Sequence, residues 1–534
     1  MSAPLPLITP EAVRDALRQR REIALIDVRE EDPFAQAHPL FAVQLSAGRI
    51  ELDAPWRLPR RDVPIAVYDD GESLAEPAAR TLQALGYTQV HLLAGGLAGW
   101  RDSGGELFRD VNVPSKAFGE LVEHERHTPS LPADEVKALI DSGADMVVLD
   151  ARRFDEYQTM SIPGGTSVPG AELVLHVRDL APNPATRVIV NCAGRTRSII
   201  GTQSLVNAGI PNPVAALRNG TIGWTLAGFE LDHGAQRRFG PASDAARAEA
   251  RRAAPALADR AGAIRLDAAG LAAWEADSSR TLYRWDVRTP EEYAAGHRPG
   301  FGSAPGGQLV QETDVFAAVR GARVVLADGG PERDGVRAAI TAHWLAQLGW
   351  EVAWLTDAPP ALLATGAWVA PCSPTPAVPA VSPGTLAGLL QQPGTLLLDV
   401  GTSAAHVKAH IPGARWVLRA QLRQAMATLS KADHIVVTCG NGALAPFAAD
   451  DLARLTGQPV AVLAGGTAAW VAEGRPLQAG DDGLLSPRID RYRRPYEGTD
   501  APRSAMQAYL DWEFGLVAQL ARDGTHGFRV LAAA

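Results

Sequence analysis

The sequence is poor in cysteine, with three in 534 residues, at Cys192, Cys372 and Cys439. So few cannot build a disulfide framework, and their spacing fits no zinc motif, so no metal or other cofactor is expected. No apolar run approaches the length needed to cross a bilayer, which argues against a membrane partner. The N-terminus lacks the basic-then-apolar pattern of a secretory signal, and the expected setting is a reducing cytoplasm. Basic residues are in deficit, 51 against 60 acidic, for a net charge of −9. That balance disfavours nucleic acid as a partner and makes any positive field a local one. What remains is ordinary globular composition, 46% hydrophobic and 21% charged, in a chain too long for one core.

One local positive field stands out. The stretch Val188-Ile-Val-Asn-Cys192-Ala-Gly-Arg-Thr-Arg-Ser198 reads as a buried strand, then a small loop with two arginines, then the start of a helix. A thiol there meets free backbone N–H groups, a helix N-terminus and guanidinium charge, all of which favour the nucleophilic thiolate. Cys192 is therefore the expected nucleophile. Ala193, Gly194, Arg195, Thr196, Arg197 and Ser198 are expected to cradle an anionic substrate.

The surrounding pattern repeats four times. Apolar strands end at Asp27, Asp150, Asp286 and Asp399, and a second strand opens into a short loop at Asp69, Cys192, Asp328 and Cys439. The spacing from strand aspartate to loop is 42, 42, 42 and 40 residues. Three copies close on a glycine turn and a tryptophan, at Trp100, Trp224 and Trp470; the third has Leu355-Thr-Asp-Ala-Pro-Pro instead. Strands this apolar, alternating with helices, predict an α/β fold of four small parallel sheets with helices on both faces. Ligands then belong at the carboxyl ends of the strands, where the loops fall. The expected units are residues 1–115, 125–240, 260–370 and 375–480, followed by a tail over 484–534. Boundaries are expected near 120–128, at the Ala/Arg-rich 245–260 and in the proline-rich linker from Pro371, where Cys372 is incidental.

The motifs after the first strand resemble those of the rhodanese homology family. They are Glu291-Glu-Tyr-Ala-Ala-Gly-His-Arg-Pro-Gly300 in the third copy and His406-Val-Lys-Ala-His-Ile-Pro-Gly-Ala414 in the fourth. The second copy keeps Asp155-Glu-Tyr and Ile162-Pro-Gly but has Met160-Ser161 where that family shows Gly-His. The resemblance implies four tandem sulfurtransferase domains moving sulfane sulfur through a cysteine persulfide. The donor would be thiosulfate or a related small anion, and the acceptor cyanide or a thiol. Phosphatase-like or arsenate-reducing relatives carry a longer loop, whereas only four residues separate Cys192 from Arg197. A persulfide carrier or scaffold without turnover is the other alternative.

The remaining copies read differently. Asp69 and Asp328 cannot form persulfides, so both copies are expected to be silent, although Arg333 stands beside Glu332 and Asp334 in the third loop. Cys439 keeps its glycines but has no arginine, which leaves a weak second site, a relay or a relic. Asp150 and Arg152 either order the active loop or contact substrate, or are structural, a buried aspartate bonding loop amides, since Asp27-Val-Arg29 and Asp286-Val-Arg288 keep the pattern; Trp224 and its glycine turn read as packing. In the tail, Arg488, Arg491, Arg493 and Arg494 are expected to lie on acidic protein surface. Met506, Leu510, Phe514, Val517 and Leu520 make a helical stripe that docks within the chain or across a homodimer.

Overall fold

Four successive sets of short apolar strands fold into four five-stranded sheets. The structure is a computed structural model and describes residues 4–329, 335–356, 363–427, 429, 432–498 and 500–532. In the copy carrying Cys192 the strands run, edge to edge, Ser130–Leu131, Val214–Leu217, Arg187–Asn191, Met146–Asp150 and Thr166–Ser167. Every pairing within this sheet is parallel, and the other three sheets repeat its order. Side chains alternate across the strand Arg187–Asn191. Val188 and Val190 enter one core with Leu173, Ile199 and Leu205, while Ile189 enters another with Val136 and Trp224. Helices Leu173–Leu180 and Thr196–Ala208 thus cover one face, with Ala133–Asp141 and Gly220–Leu226 on the other. The expected α/β architecture is present in all four units.

Register accounts for the constant spacing in the sequence. Asp27 pairs with Tyr68, Asp150 with Asn191, Asp286 with Ala327 and Asp399 with Thr438. The next residue in each case is Asp69, Cys192, Asp328 or Cys439, so each strand aspartate stands beside the start of its loop.

The units are not beads on a string. One core runs through the first three copies and the end of the tail, whereas the fourth copy has cores of its own. The charged stretch at 120–128, expected as a boundary, falls between the first and second sheets and takes in the end of the helix Val113–Arg126, whose Val113, Ala117, Phe118 and Val122 are buried. Its acidic second half disguised an apolar stripe that begins earlier. Residues 245–260 likewise belong to a helix, Asp244–Ala261, whose alanine side packs on Val336–Gln347. The linker over 371–379 has no helix or strand, and Cys372 in it is exposed. Arg419 ties the fourth copy to the first through paired bonds of 2.6 and 2.8 Å to Glu51. Glu332, Arg333 and Asp334 of the third loop, and 357–360 in the stretch where its glycine turn is replaced, lie outside the described residues.

The tail crosses the molecule. Asp490 accepts the Ser403 N–H at 2.8 Å, and Arg494 meets Glu31 of the first copy at 3.5 Å. Arg491 and Arg493 pair with Glu497 and Asp500, so these three arginines are engaged by carboxylates. The helix Arg503–Phe514 then lies on the second copy, with Met506, Tyr509 and Leu510 packed against Ile222. The expected single stripe is broken at Gly515, where Leu516–Asp523 begins, so Phe514 turns outward and is 54% exposed. Docking is within the chain, which removes the reason for expecting a dimer through this face.

Candidate active site

Cys192 is the first residue past the central strand Arg187–Asn191, and the helix Thr196–Ala208 starts four residues later. Its thiol is buried and donates to Ser198 Oγ at 3.4 Å, while that hydroxyl donates to the Arg195 carbonyl at 2.8 Å. The loop is shaped from behind by the glycine turn that closes on Trp224. Thr221 N–H bonds the Cys192 carbonyl at 2.9 Å, and Ile222 N–H bonds the Ala193 carbonyl at 3.0 Å. In a trans peptide the N–H points opposite the C=O, so this turns the Ala193 and Gly194 amides toward the reacting side. Gly220 has φ +56°, and a Cβ on it would stand 2.3 Å from the Cys192 carbonyl oxygen. The turn read as packing therefore also sets the loop. Equivalent glycines, Gly96 and Gly466, back Asp69 and Cys439 equally closely.

The two arginines separate. Arg195 is buried, with Nε and Nη2 on the Glu120 carboxylate at 2.7 and 2.9 Å and Nη1 on Asn219 at 3.1 Å. Glu123 also takes Nη2, and Phe514 lies over the guanidinium at 4.4 Å. Both edges are committed to protein groups, which differs from the expected role of holding substrate. Thr196 also faces inward, its methyl packed where a Cβ on Gly119 would come within 2.9 Å. Arg197 is partly open. It makes a two-point pair with Glu156 at 2.7 and 2.8 Å and lines a cleft of about 360 Å³ with Arg152, Arg153, Arg494 and Tyr496. Burial alone would raise the Glu156 carboxyl, but Arg197 and Arg152 hold it down to about 2.

The thiol is less acidic than the loop sequence suggests. Burial pushes Cys192 up, Arg197 and the Ser198 hydroxyl and N–H pull it back, and Glu513 adds a further upward push. Desolvation outweighs the cations here because one guanidinium is spent on Glu120 and the tail seals the loop. Pushed up from the ordinary thiol value, Cys192 rests as a thiol near neutral pH.

Asp150 and Arg152 form a buried brace, with bonds of 2.8 and 2.7 Å between them, and Asn191 Nδ2 donates to Asp150 at 2.8 Å. Asp27–Arg29 and Asp286–Arg288 repeat it, so it belongs to the fold. In the first and third copies the loop carboxylates occupy their own cradles. Asp69 accepts from the N–H groups of Gly71, Leu74 and Ala75, and Asp328 from the N–H and side chain of Arg337. Each takes the place an anionic substrate would need. Cys439 is also buried, in a loop whose Gly442 has φ +83°. In its copy His406, at 2.9 Å from Asp399, replaces the arginine brace.

Sequence reasoning missed the lid. Tyr509 and Glu513 cover Gly194 from the tail, with Tyr509 Cε1 3.1 Å from where a Cβ would stand. Lys116 pairs with Asp110 at 2.6 Å and lies among the rings of Tyr496, Tyr509 and Trp512. Glu120 and Glu123 arrive from the helix taken for a boundary. The spacing Met506, Tyr509, Leu510, Glu513 is the buried face, one step round from the purely apolar stripe.

Comparison with known proteins fits this geometry. The model of the Rhodanese-like domain matches residues 9–103, 132–227 and 382–473, and the sheet of the third copy repeats their strand order. The crystal structure of a thiosulfate sulfurtransferase from Pseudomonas aeruginosa is 64% identical, covers 99% of this chain and 100% of its own, and superposes with a TM-score of 0.97. A thiosulfate sulfurtransferase from Azotobacter vinelandii is 27% identical over 218 residues, 37% of this chain and 79% of that one. With more than half its length matched by the family model, the chain belongs to the rhodanese-like domain family.

Proposed function

We propose that this protein is a thiosulfate sulfurtransferase whose working cysteine is Cys192. The observation that carries the reading is the loop itself: a thiol at a strand's carboxyl end, facing turned-in amides and a helix N-terminus, with Arg197 beside it. The Cys192 thiolate attacks the outer sulfur of thiosulfate, the S–S bond to sulfite breaks, and sulfite leaves with the electron pair. Cyanide or a thiol then takes the outer sulfur and returns Cys192 to its starting state. Loop amides stabilise charge in both halves. Three free thiols and no described helix long and apolar enough to cross a membrane fit a reducing, cytoplasmic setting.

The test pairs thiocyanate formation from thiosulfate and cyanide with hydrolysis of an aryl phosphate. Turnover in the first and none in the second is expected; the reverse would assign the site to phosphorus chemistry. Arg197→Ala should raise the thiosulfate KM by about tenfold or more, the worth of one charge-assisted contact. A neutral persulfide donor should be affected much less, and equal sensitivity to both donors would remove Arg197 from donor binding. Cys439→Ala should leave transfer to cyanide unchanged, with mass spectrometry placing the added sulfur on Cys192 alone. Label reaching Cys439 through Cys192 would establish a relay.

A further inference from the structure

Glu513 is a carboxyl group that packing does not require. It is fully buried on a tail helix outside the repeats, against the loop of the second copy. One oxygen accepts the Tyr509 hydroxyl at 2.7 Å. The other, Oε2, has no hydrogen-bond partner and lies 3.4 Å from where a Cβ on Gly194 would stand. The groups around it are Lys116, Glu120 and Glu123 from the helix Val113–Arg126, with Asp110 ahead of that helix. Arg195 and Cys192 face it from the loop, and Tyr496 and Tyr509 from the tail. Lys116 is held by Asp110 and Arg195 by Glu120, so both nearby cations are already committed. A buried carboxyl oxygen with no partner is costly and calls for a role.

The sulfur-transfer reading, on which this inference rests, supplies one. Resting Cys192 is a thiol, whereas a persulfide is more acidic than a thiol and forms as an anion. Loading therefore frees one proton inside a closed site. We propose that the Glu513 carboxylate takes this proton when Cys192 is loaded and returns it when Cys192 is unloaded. In the first half Sγ bonds to the outer sulfur, sulfite leaves with the pair of the broken S–S bond, and the thiol proton passes to Glu513. Carboxylate plus thiosulfate dianion becomes persulfide anion plus sulfite dianion, so the total charge is unchanged. In the second half cyanide leaves as thiocyanate, the pair of the S–S bond stays on Sγ, and Glu513 gives the proton back. Burial and the neighbouring Glu120 push the Glu513 carboxyl up to about 8, against the pull of Lys116 and the Tyr509 hydroxyl. A group in that range can both accept and release a proton near neutrality.

The experiment mixes the full-length protein with thiosulfate, without acceptor, in weakly buffered indicator solution at about pH 8.5, where Glu513 is largely ionised. Proton release is read by the dye and loading by intact mass. The persulfide anion beside Glu513 pushes its carboxyl up further and makes it keep the thiol proton, so the parent should load Cys192 with well under one proton released. Glu513→Gln, which still accepts the Tyr509 hydroxyl, should release about one proton per sulfur loaded. Equal release by both proteins at equal loading overturns the proposal. Failure of the parent to load Cys192 overturns this proposal and the sulfur-transfer reading together. Tyr509→Phe keeps the carboxyl but removes a donor to its anion, so Glu513 should hold its proton to higher pH. The pH above which loading stops releasing a proton should then move upward. No movement counts against the proposal, and this variant decides it alone where Glu513→Gln does not fold.

Discussion

Cys192→Ala is expected to abolish thiocyanate formation, to below about 1% of the parent rate, while leaving the protein folded. The persulfide needs a sulfur nucleophile, and Asp69 and Asp328 offer only carboxylates already bonded to their own loops. Cys439 has no arginine in its loop sequence to hold an anion. The alanine removes one sulfur atom that makes a single weak bond to Ser198, so melting behaviour should stay close to that of the parent. Rates and intact mass after thiosulfate exposure check both halves of the expectation. Undiminished turnover with sulfur still added elsewhere would move the site away from the second copy.

Arg195→Ala should cost about 3–5 kcal/mol of stability, because it leaves the buried Glu120 carboxylate without its cation. The loss falls where three separate segments meet: the loop, the helix Val113–Arg126 and the tail. Burial already raises the Glu120 carboxyl, and Arg195 is what pulls it back down. Replacing both partners by methionine should recover most of the loss, since two apolar side chains of similar size leave no uncompensated charge. Urea midpoints of the parent, the single variant and the double variant give the measurement. A single variant as stable as the parent would show that the pair carries no structural load. Its activity is a separate reading: a donor KM that rises no more than stability explains keeps Arg195 out of donor binding.

The repeat made the fold legible. A parallel strand ending in aspartate beside the residue that precedes the loop writes its register into the chain as a fixed spacing, and buried strands on both sides read as unbroken apolar runs. Cys192 stands out in the sequence for the same reason, since it lies where the repeat places a loop. What stayed hidden lies between copies. Arg195 and Arg197 are two residues apart on one loop, and nothing local says that one turns inward to Glu120 while the other faces the cleft with Glu156. The acidity of Cys192 is not legible in its loop because burial pushes the thiol up, and Glu513, from a tail with no counterpart in the repeats, adds to that push. The helix Val113–Arg126 looked like a linker because its charged groups, Glu120 and Glu123, find their partner on another copy.

The tail has a consequence for how the protein is made. Glu513 follows Cys192 by 321 residues, which at typical rates of synthesis is roughly a quarter of a minute to a minute of translation. Throughout that interval the nascent second copy lacks the helix that covers its loop at Gly194, and the loop faces whatever oxidants and electrophiles surround the ribosome. The loop is thus born without this cover, which comes from a segment made long after it, so chemical damage to Cys192 should concentrate in chains that have not yet reached Glu513.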